Sequence, residues 1–427
     1  MQNGLLYTFL MQRFRGIGLR LVSFNTFFQF SVRLIGSGTS LISTLIIASF
    51  LGYPTIGSFI KVVEFVAIFY ILLDFGLNPV FQKLYVKKIE ISLGNLVVTR
   101  LIFAVVLVPI IAFVTLFLPQ SGIVGAGFSD QEKFAIIIYS LTLFSSALNI
   151  SWQALLQQKL GNRLTIPTSL LSSFALLSVI YYAASTANFY LLFGAFIVSG
   201  SVYSISTYLL IKARYKTALS VSKLAKFIIR LFMVGWPLGI VLFINFLYAR
   251  IDIFLLAILK QNVDVGIYGI SYRFFDVAVA IPTFLASSTY PLLLSTMDNK
   301  KVYYSHFRRY LLFYAIISFI VTIFVVFFSP LIQILRKEFL MSVAPLQILG
   351  LSLPFFFLTS LLQWHFLIKG KVFFLLPLYG GVLILNVVLN IIFIPHYSYF
   401  ASAVITALCE GIVFIVLLWY FLKDKKA

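Results

Sequence analysis

The sequence predicts an all-α polytopic membrane protein, and its composition and long apolar segments support that prediction. The chain of 427 residues is 61% hydrophobic and only 10% charged, with a mean hydropathy of +1.06. A soluble domain needs far more polar surface than this composition supplies. Because backbone polar groups in lipid must be satisfied within the chain, we expect the apolar segments to cross the bilayer as helices.

Apolar runs of about 20 residues, the length that crosses a bilayer as a helix, predict twelve spans. Turn-forming stretches such as LGYPTIG, KLGNR and MDNKK separate the runs. The predicted spans are 22–51, 58–85, 92–118, 133–158, 164–185, 188–211, 225–259, 266–296, 304–335, 342–368, 372–394 and 399–422.

Lysine and arginine are distributed very unequally between the two sets of loops and chain ends. One set, which includes both termini, carries 23 of these residues, and the opposite set carries four. Cytoplasmic loops carry the excess of positive charge, so both termini are predicted to be cytoplasmic. The net charge of +20 then reflects topology and attraction to anionic membrane lipids, and we expect no nucleic-acid partner.

Residues that bind metals or cofactors are scarce. Cys409 is the single cysteine and lies in an apolar run, and the three histidines follow no ligand spacing. We therefore expect no metal site and no cofactor. The longest outer loop, around 119–132, is too short to build the site of an enzyme that polymerises or ligates sugars, which favours a transporter over an enzyme.

The two halves of the sequence resemble each other when one is shifted by 209 residues. This shift places Gly57 on Gly266 and Gly161 on Gly370. It divides the chain into an N-terminal bundle of six spans, 1–214, and a C-terminal bundle of six spans, 215–427. Because each half has an even number of spans, the bundles are predicted to be related by a pseudo-twofold axis along the membrane normal and to enclose a central cleft.

Five basic residues lie inside predicted spans, away from the helix ends. A cation at mid-membrane costs roughly 2.5–3.5 kcal/mol, so each must face the cleft, pair with an acid or extend to an interface. Arginine binds phosphate through two hydrogen bonds and stays charged at any relevant pH, which makes these residues candidates to bind an anionic substrate. They are Arg33, Lys61, Arg100, Arg250 and Arg273.

Five acidic residues at similar depth are candidates for gating or for coupling to a proton or sodium ion. They are Glu64, Asp74, Asp252, Asp276 and Glu410. Lys61 with Glu64 and Arg273 with Asp276 are spaced i,i+3, so each pair shares a helix face. Such pairs could equally serve only to lock helices together.

Three of the cations have no acidic partner at helical spacing. Arg33 and Arg100 have no acid three or four residues away, and Arg250 has Asp252 only at i+2, on another side of its helix. We therefore expect these arginines to meet a substrate anion, although Arg100 is near enough to its helix start to extend to the interface. The excess of positive charge favours an anionic substrate over a cationic drug.

Several segments resemble a known family. ARIDIFLLAILKQNVDVGIYG contains an Arg-x-Asp pair at Arg250 and Asp252 and a Val-Gly-x-Tyr turn that ends at Tyr268, and Pro291 follows. Further matches are LDFGL at 73–77 and LNVVLNIIFIPHYSYF, which contains Asn386, Asn390 and Pro395 and has Ser398 and Phe400 where the family usually has glycines. Over nearly the whole chain, the sequence resembles the Wzx-type polysaccharide-repeat flippases of the multidrug/oligosaccharidyl-lipid/polysaccharide exporter superfamily.

This resemblance implies a flippase that moves undecaprenyl-diphosphate-linked oligosaccharide, such as an O-antigen unit, across the bacterial cytoplasmic (inner) membrane by alternating access. The cationic cleft would bind the diphosphate and sugar, and a polysaccharide polymerase could act beside it. Two alternatives remain open: a cation-coupled exporter of small molecules in the same superfamily, and a membrane glycosyltransferase or polymerase.

Overall fold

The computed structural model describes residues 19–426 except 79, 82–92, 122–125, 216–218, 298 and 335. Arg13, Arg15, Lys83, Lys87, Lys88 and Lys216, which contribute to the orientation prediction, lie outside the described residues. The described chain is almost entirely helical. Its α-helices are α1 (Leu19–Asp74), α2 (Leu93–Leu116), α3 (Asp130–Ser140), α4 (Thr142–Gln158), α5 (Thr165–Ser185), α6 (Phe189–Tyr215), α7 (Leu224–Leu259), α8 (Asn262–Ser295), α9 (Lys300–Phe328), α10 (Val343–Ile368) and α11 (Val372–Lys426).

Ten helical segments of the described chain are long and apolar enough to cross a membrane. The first and last of them, Phe27–Asp74 and Phe373–Asp424, have 48 and 52 residues, which corresponds to roughly 70–80 Å of helix against a hydrocarbon core of about 30 Å. Each is broken once in the described chain, so each contains two segments long enough to cross, which is consistent with the twelve predicted spans. The fold class predicted from the sequence, an all-α multi-pass membrane protein, is confirmed.

The breaks in α1 and α11 have different chemical causes. Gly52 adopts φ 75° and ψ −179°, a conformation open to glycine, and Pro54 then begins the next helical segment, where its missing N–H is not needed. Ser398 adopts φ 50° and ψ −136°, although it has a Cβ. Its hydroxyl donates to Asp264 Oδ1 at 2.6 Å. The serine thus occupies a conformation that favours glycine, and a hydrogen bond to α8 helps to hold it there.

The positions of the breaks support the internal repeat. A shift of 209 residues places the Gly52 break on Gln261, between α7 and α8, and places the turn at Gly161 on the turn at Gly370. The stretch between α2 and α3 likewise lands on the 3₁₀ segments between α9 and α10. The halves therefore share the order and spacing of their helices. The pseudo-twofold axis, the central cleft and the boundary at 214/215 remain predictions.

Contacts divide the described residues into two compact units, one within Phe27–Arg250 and one within Ile251–Ala427, which we call the N-terminal and C-terminal units. In the N-terminal unit, α4 packs on α2 and α6, and α5 packs along α6. In the C-terminal unit, α10 packs against α8, α9 and α11.

The first part of α7 lies in the N-terminal unit, and close contacts attach this part and the residues just before it to that unit. Asn95 Nδ2 donates to the Ser222 carbonyl at 2.6 Å, and the Ser222 N–H donates to Asn95 Oδ1 at 2.9 Å. Gly76, with φ 78°, lies so close to α7 that a Cβ there would come within 2.9 Å of the Gly235 carbonyl oxygen. Glycine is therefore required at Gly76 both for its backbone conformation and for this contact.

Candidate functional site

Arg100 is completely buried and belongs to a polar cluster inside the N-terminal unit. Its Nη2 donates to Asp74 Oδ1 at 2.5 Å and to Asn78 Oδ1 at 2.8 Å, while Nη1 donates to Ser151 Oγ at 3.0 Å. The Arg100 side chain is 0% exposed, and that of Asp74 is 23% exposed. The sequence showed no acid at helical spacing from Arg100, and the structure supplies one from a different helix, 26 residues away in sequence.

Lys61 is also buried, with 1% of its surface exposed. Its ammonium group donates to the Gly127 carbonyl at 2.6 Å and lies 5.6 Å from the centroid of the Phe128 ring. This contact joins α1 to the loop that precedes α3. The described geometry therefore directs Lys61 towards the loop backbone, whereas its sequence spacing predicted a pair with Glu64.

Glu64 instead lies close to Arg250 of α7, one of the five basic residues predicted to bind the substrate. Its Oε1 lies 3.7 Å from Arg250 Nη1, with 8% of the Glu64 side chain and 22% of the Arg250 side chain exposed. The sequence showed no acid for Arg250 on its own helix face, and the structure supplies one from α1. At 3.7 Å the two charges attract without a short hydrogen bond, and the guanidinium keeps some accessible surface.

The remaining two predicted cations differ in their surroundings. Arg33 lies on an exposed part of α1 and forms no ion pair with any other described residue. Arg273 Nη1 lies 3.7 Å from Asp276 Oδ2, and their side chains are 14% and 27% exposed. The predicted i,i+3 pair on α8 is thus confirmed.

In the C-terminal unit, a buried carboxylate is surrounded by hydroxyl groups. Asp252 is 1% exposed. Its Oδ2 accepts hydrogen bonds from Tyr268 at 2.5 Å and Thr406 at 3.0 Å, and its Oδ1 accepts from the Ile253 N–H at 2.9 Å. These residues lie on α7, α8 and α11, so the carboxylate joins three helices.

The polar character continues along α11 on either side of Thr406. Ser402 donates to Asn390 Oδ1 at 3.1 Å, and Asn390 Nδ2 donates to Asn386 Oδ1 at 2.8 Å. Glu410 is 3% exposed and follows Thr406 by one turn. Ser402, Thr406 and Glu410 therefore form a buried polar stripe at i, i+4 and i+8.

Sequence reasoning assigned no role to Tyr268, Ser402 or Thr406 beyond family resemblance. A usable signal was present, because polar residues recur every four positions within an otherwise apolar span, as do Asn386 and Asn390. In the described part of the chain, no three His, Cys, Asp or Glu side chains converge on a site that could hold a metal ion.

Comparisons with known proteins agree with this architecture. A family model described as polysaccharide biosynthesis protein matches residues 22–297. None of the curated proteins compared matches the chain.

Solved structures with the same fold include the lipid II flippase MurJ in an inward closed conformation, with 17% identity, a TM-score of 0.73 and coverage of 94% of this chain and 89% of that chain. They include an inward-facing multidrug resistance MATE family transporter of the MOP superfamily, with 15% identity, a TM-score of 0.70 and coverage of 90% and 94%. A MOP superfamily transporter from Pyrococcus furiosus has 14% identity, a TM-score of 0.61 and coverage of 95% of each chain. At these identities the similarity shows the fold.

Proposed function

Because the chain belongs to the polysaccharide biosynthesis protein family, we propose that it is a flippase for undecaprenyl-diphosphate-linked oligosaccharide repeat units. It moves them from the cytoplasmic to the periplasmic leaflet of the bacterial inner membrane by alternating access, with both termini in the cytoplasm. Its similarity in fold to a lipid II flippase supports a lipid-linked substrate.

The observation that carries this proposal is the presence of accessible arginines within apolar spans. Arg33 is exposed, and Arg250 and Arg273 keep 22% and 14% of their side chains accessible beside acids. A guanidinium group binds phosphate oxygens through two parallel hydrogen bonds. The neighbouring Glu64 and Asp276 would stabilise Arg250 and Arg273 while no substrate is bound and would release them to a diphosphate. Buried Lys61 and Arg100 then act as positioning residues.

The test compares alanine and lysine substitutions in a reconstituted flipping assay. Proteoliposomes receive a fluorescent polyprenyl-diphosphate oligosaccharide, and the amount that reaches the opposite leaflet is measured. We expect Arg33→Ala, Arg250→Ala and Arg273→Ala each to slow flipping at least tenfold, and the lysine variants to recover part of the rate. Unchanged flipping by all three alanine variants would rule out the proposed binding role.

Ion coupling is proposed for the buried acids of the C-terminal unit. Asp252 accepts hydrogen bonds from the Tyr268 and Thr406 hydroxyl groups. Glu410 lies one turn beyond Thr406 on the same helix face. Carboxylate and hydroxyl oxygens bind small hard cations, and a carboxylate can instead take a proton. We expect Asp252→Asn to remove the dependence of flipping on an imposed sodium or proton gradient. A gradient dependence that persists in both Asp252→Asn and Glu410→Gln would exclude these acids.

A cation-coupled exporter of small molecules is the second candidate, because the same fold occurs in multidrug transporters. It predicts that expression of the chain raises resistance to toxic compounds and that Asp74→Asn or Asp252→Asn abolishes this resistance without affecting glycan export. A glycosyltransferase or polymerase would instead transfer sugar in a purified preparation, so incubation with labelled donor substrates separates that class.

A further inference from the structure

The exposed face of α9 begins with a cluster of basic residues. Lys301, Ser305 and Arg308 are exposed and lie at i, i+4 and i+7, so they share one helix face, and exposed Arg309 lies beside them. Within the described chain, Arg308 and Arg309 form no ion pair. Asp424, the acid that ends the last helix, instead lies 3.6 Å from Lys369 and contacts Lys371.

The same face of α9 then becomes apolar and stays so for four turns. Leu312, Ile316, Phe319 and Phe327 are 53–74% exposed. In an 18-residue apolar stretch of the span that contains them, Lys300–Ile334, 17% is buried, the smallest share among the ten candidate spans, whose other values run from 28% to 61%. Such an uncovered apolar surface on a membrane span faces acyl chains.

The change from basic to apolar occurs over the depth of a lipid headgroup. Arg308 precedes Leu312 by four residues, or about 6 Å of helix rise, and Lys301 lies a further 10 Å or so along the axis. Each headgroup layer of a bilayer is about 5–8 Å thick. When Leu312 lies at the edge of the hydrocarbon core, Arg308 and Arg309 therefore lie at the level of lipid phosphates.

The opposite face of this helix start is packed, which fixes the direction of the cations. Tyr303 and Phe307 are 1% and 0% exposed, and the Asn299 side chain caps the helix by accepting from the Val302 N–H at 3.2 Å. A capped and packed helix fixes the backbone that carries the arginines, so little backbone entropy is lost when they bind a phosphate.

We propose that this face of α9 is a binding site for an anionic phospholipid from the bilayer. The guanidinium groups of Arg308 and Arg309 hold the headgroup phosphate, and the acyl chains lie along Leu312 to Phe327. Lys301 lies beyond the headgroup and adds positive charge that attracts the anionic lipid. Free phosphate would use only the basic half of this surface, whereas a phospholipid matches both halves.

The test measures lipid binding to the purified full-length protein by native mass spectrometry. The protein in detergent is titrated with phosphatidylglycerol or with phosphatidylcholine of the same acyl chains. The triple variant Lys301→Gln, Arg308→Gln, Arg309→Gln is compared with a control that loses the same charge, Lys159→Gln, Arg163→Gln, Arg214→Gln. The control cations are exposed but lie elsewhere in the fold. Lys159 and Arg163 lie at the turn between α4 and α5. Arg214 lies in the last turn of α6, on a face where Tyr203 and Thr207 are buried.

We expect the Kd of the first bound phosphatidylglycerol to rise at least about tenfold in the α9 variant, since each basic residue near a membrane surface contributes substantially to anionic lipid binding. The control should keep the original Kd, and phosphatidylcholine binding should not change in either. An excess of inorganic phosphate should displace little phosphatidylglycerol, because it lacks acyl chains.

Three results would overturn the proposal: an equal loss of phosphatidylglycerol in the control variant, an equal loss of phosphatidylcholine in the α9 variant, or full displacement by inorganic phosphate. Thermal unfolding in detergent checks that the triple variant is folded. Were it unstable, Arg309→Gln alone, on the exposed side, would decide the question, with an increase in the phosphatidylglycerol Kd expected and an unchanged Kd counting against the site.

Discussion

Arg100 and Arg309 occupy the same position in the two halves of the repeat but have opposite environments. The shift of 209 residues also takes Asp74, the acid that pairs with Arg100, to Thr283. Arg100 is fully buried against Asp74, whereas Arg309 and Thr283 are both exposed. A buried arginine needs a compensating acid, so the half that lacks the acid keeps its arginine on the surface.

Asp252 and its counterpart Ser43 differ in a similar way. Both are 1% exposed, but Asp252 accepts hydrogen bonds from Tyr268 and Thr406. Phe59 and Ile197 stand at the positions that correspond to this tyrosine and threonine, and the Ser43 hydroxyl has no hydrogen-bond partner among the described residues. The corresponding helices of the two halves thus break at matching positions, but they differ in their buried polar side chains.

The largest expected effect comes from the buried ion pair. Arg100→Met leaves the Asp74 carboxylate without its partner and should destabilise the fold by about 3–5 kcal/mol. Arg309→Met should leave the stability unchanged, because that side chain is exposed. Thermal unfolding in detergent without added phospholipid measures both variants.

The double variant Arg100→Met, Asp74→Leu distinguishes an ion-pair effect from a packing effect. Removing both charges should recover much of the lost stability, because two buried charges no longer need compensation. A double variant that is as unstable as the sum of the two single variants would show that Arg100 acts through its packing.

Asp252→Leu is the next largest change, and Ser43→Ala is its matched control. Without the carboxylate, the buried Tyr268 hydroxyl loses its acceptor, which should cost about 1–3 kcal/mol of stability. Thr406 can redirect its hydroxyl to a backbone carbonyl one turn earlier and limits the loss. Ser43→Ala removes a hydroxyl without a described partner, so its melting temperature should not fall. Equal losses in both variants would contradict the assigned difference between the two positions.

The helical spans could be predicted from the sequence more completely than the ion pairs. Apolar runs with Gly and Pro signals predicted the spans and the break at Gly52, because both depend on neighbours along the chain. The i,i+3 rule predicted Arg273 with Asp276 correctly, but it also predicted Lys61 with Glu64, whereas Lys61 contacts the Gly127 carbonyl. The pairs of Arg100 with Asp74 and of Arg250 with Glu64 join different helices. They depend on how helices rotate and pack, and the spacing within one helix does not encode that.

Lys61 provides a third comparison, because the shift of 209 residues takes it to Ile270, a fully buried apolar residue. Lys61→Ile should destabilise the N-terminal unit by about 1–2 kcal/mol, since the Gly127 carbonyl loses a charged donor while the cost of burying an ammonium group disappears. Limited proteolysis next to Gly127 should become faster in this variant, because the lysine contacts the backbone there. An unchanged cleavage rate would mean that the loop is held by its other contacts.

The two helix breaks offer the smallest and most selective change. Gly52 adopts a positive φ without strain, whereas Ser398 does so with a Cβ, in a sparsely populated conformation that costs roughly 1–3 kcal/mol, and with a compensating hydrogen bond to Asp264. Ser398→Ala keeps the strain and loses the bond, so it should lower the melting temperature. Ser398→Gly loses the bond but also the strain, so it should be more stable than the alanine variant by about 1 kcal/mol. If the alanine and glycine variants had the same melting temperature, the backbone at Ser398 would not be strained. Neither break would then carry backbone strain, although one has glycine and the other serine.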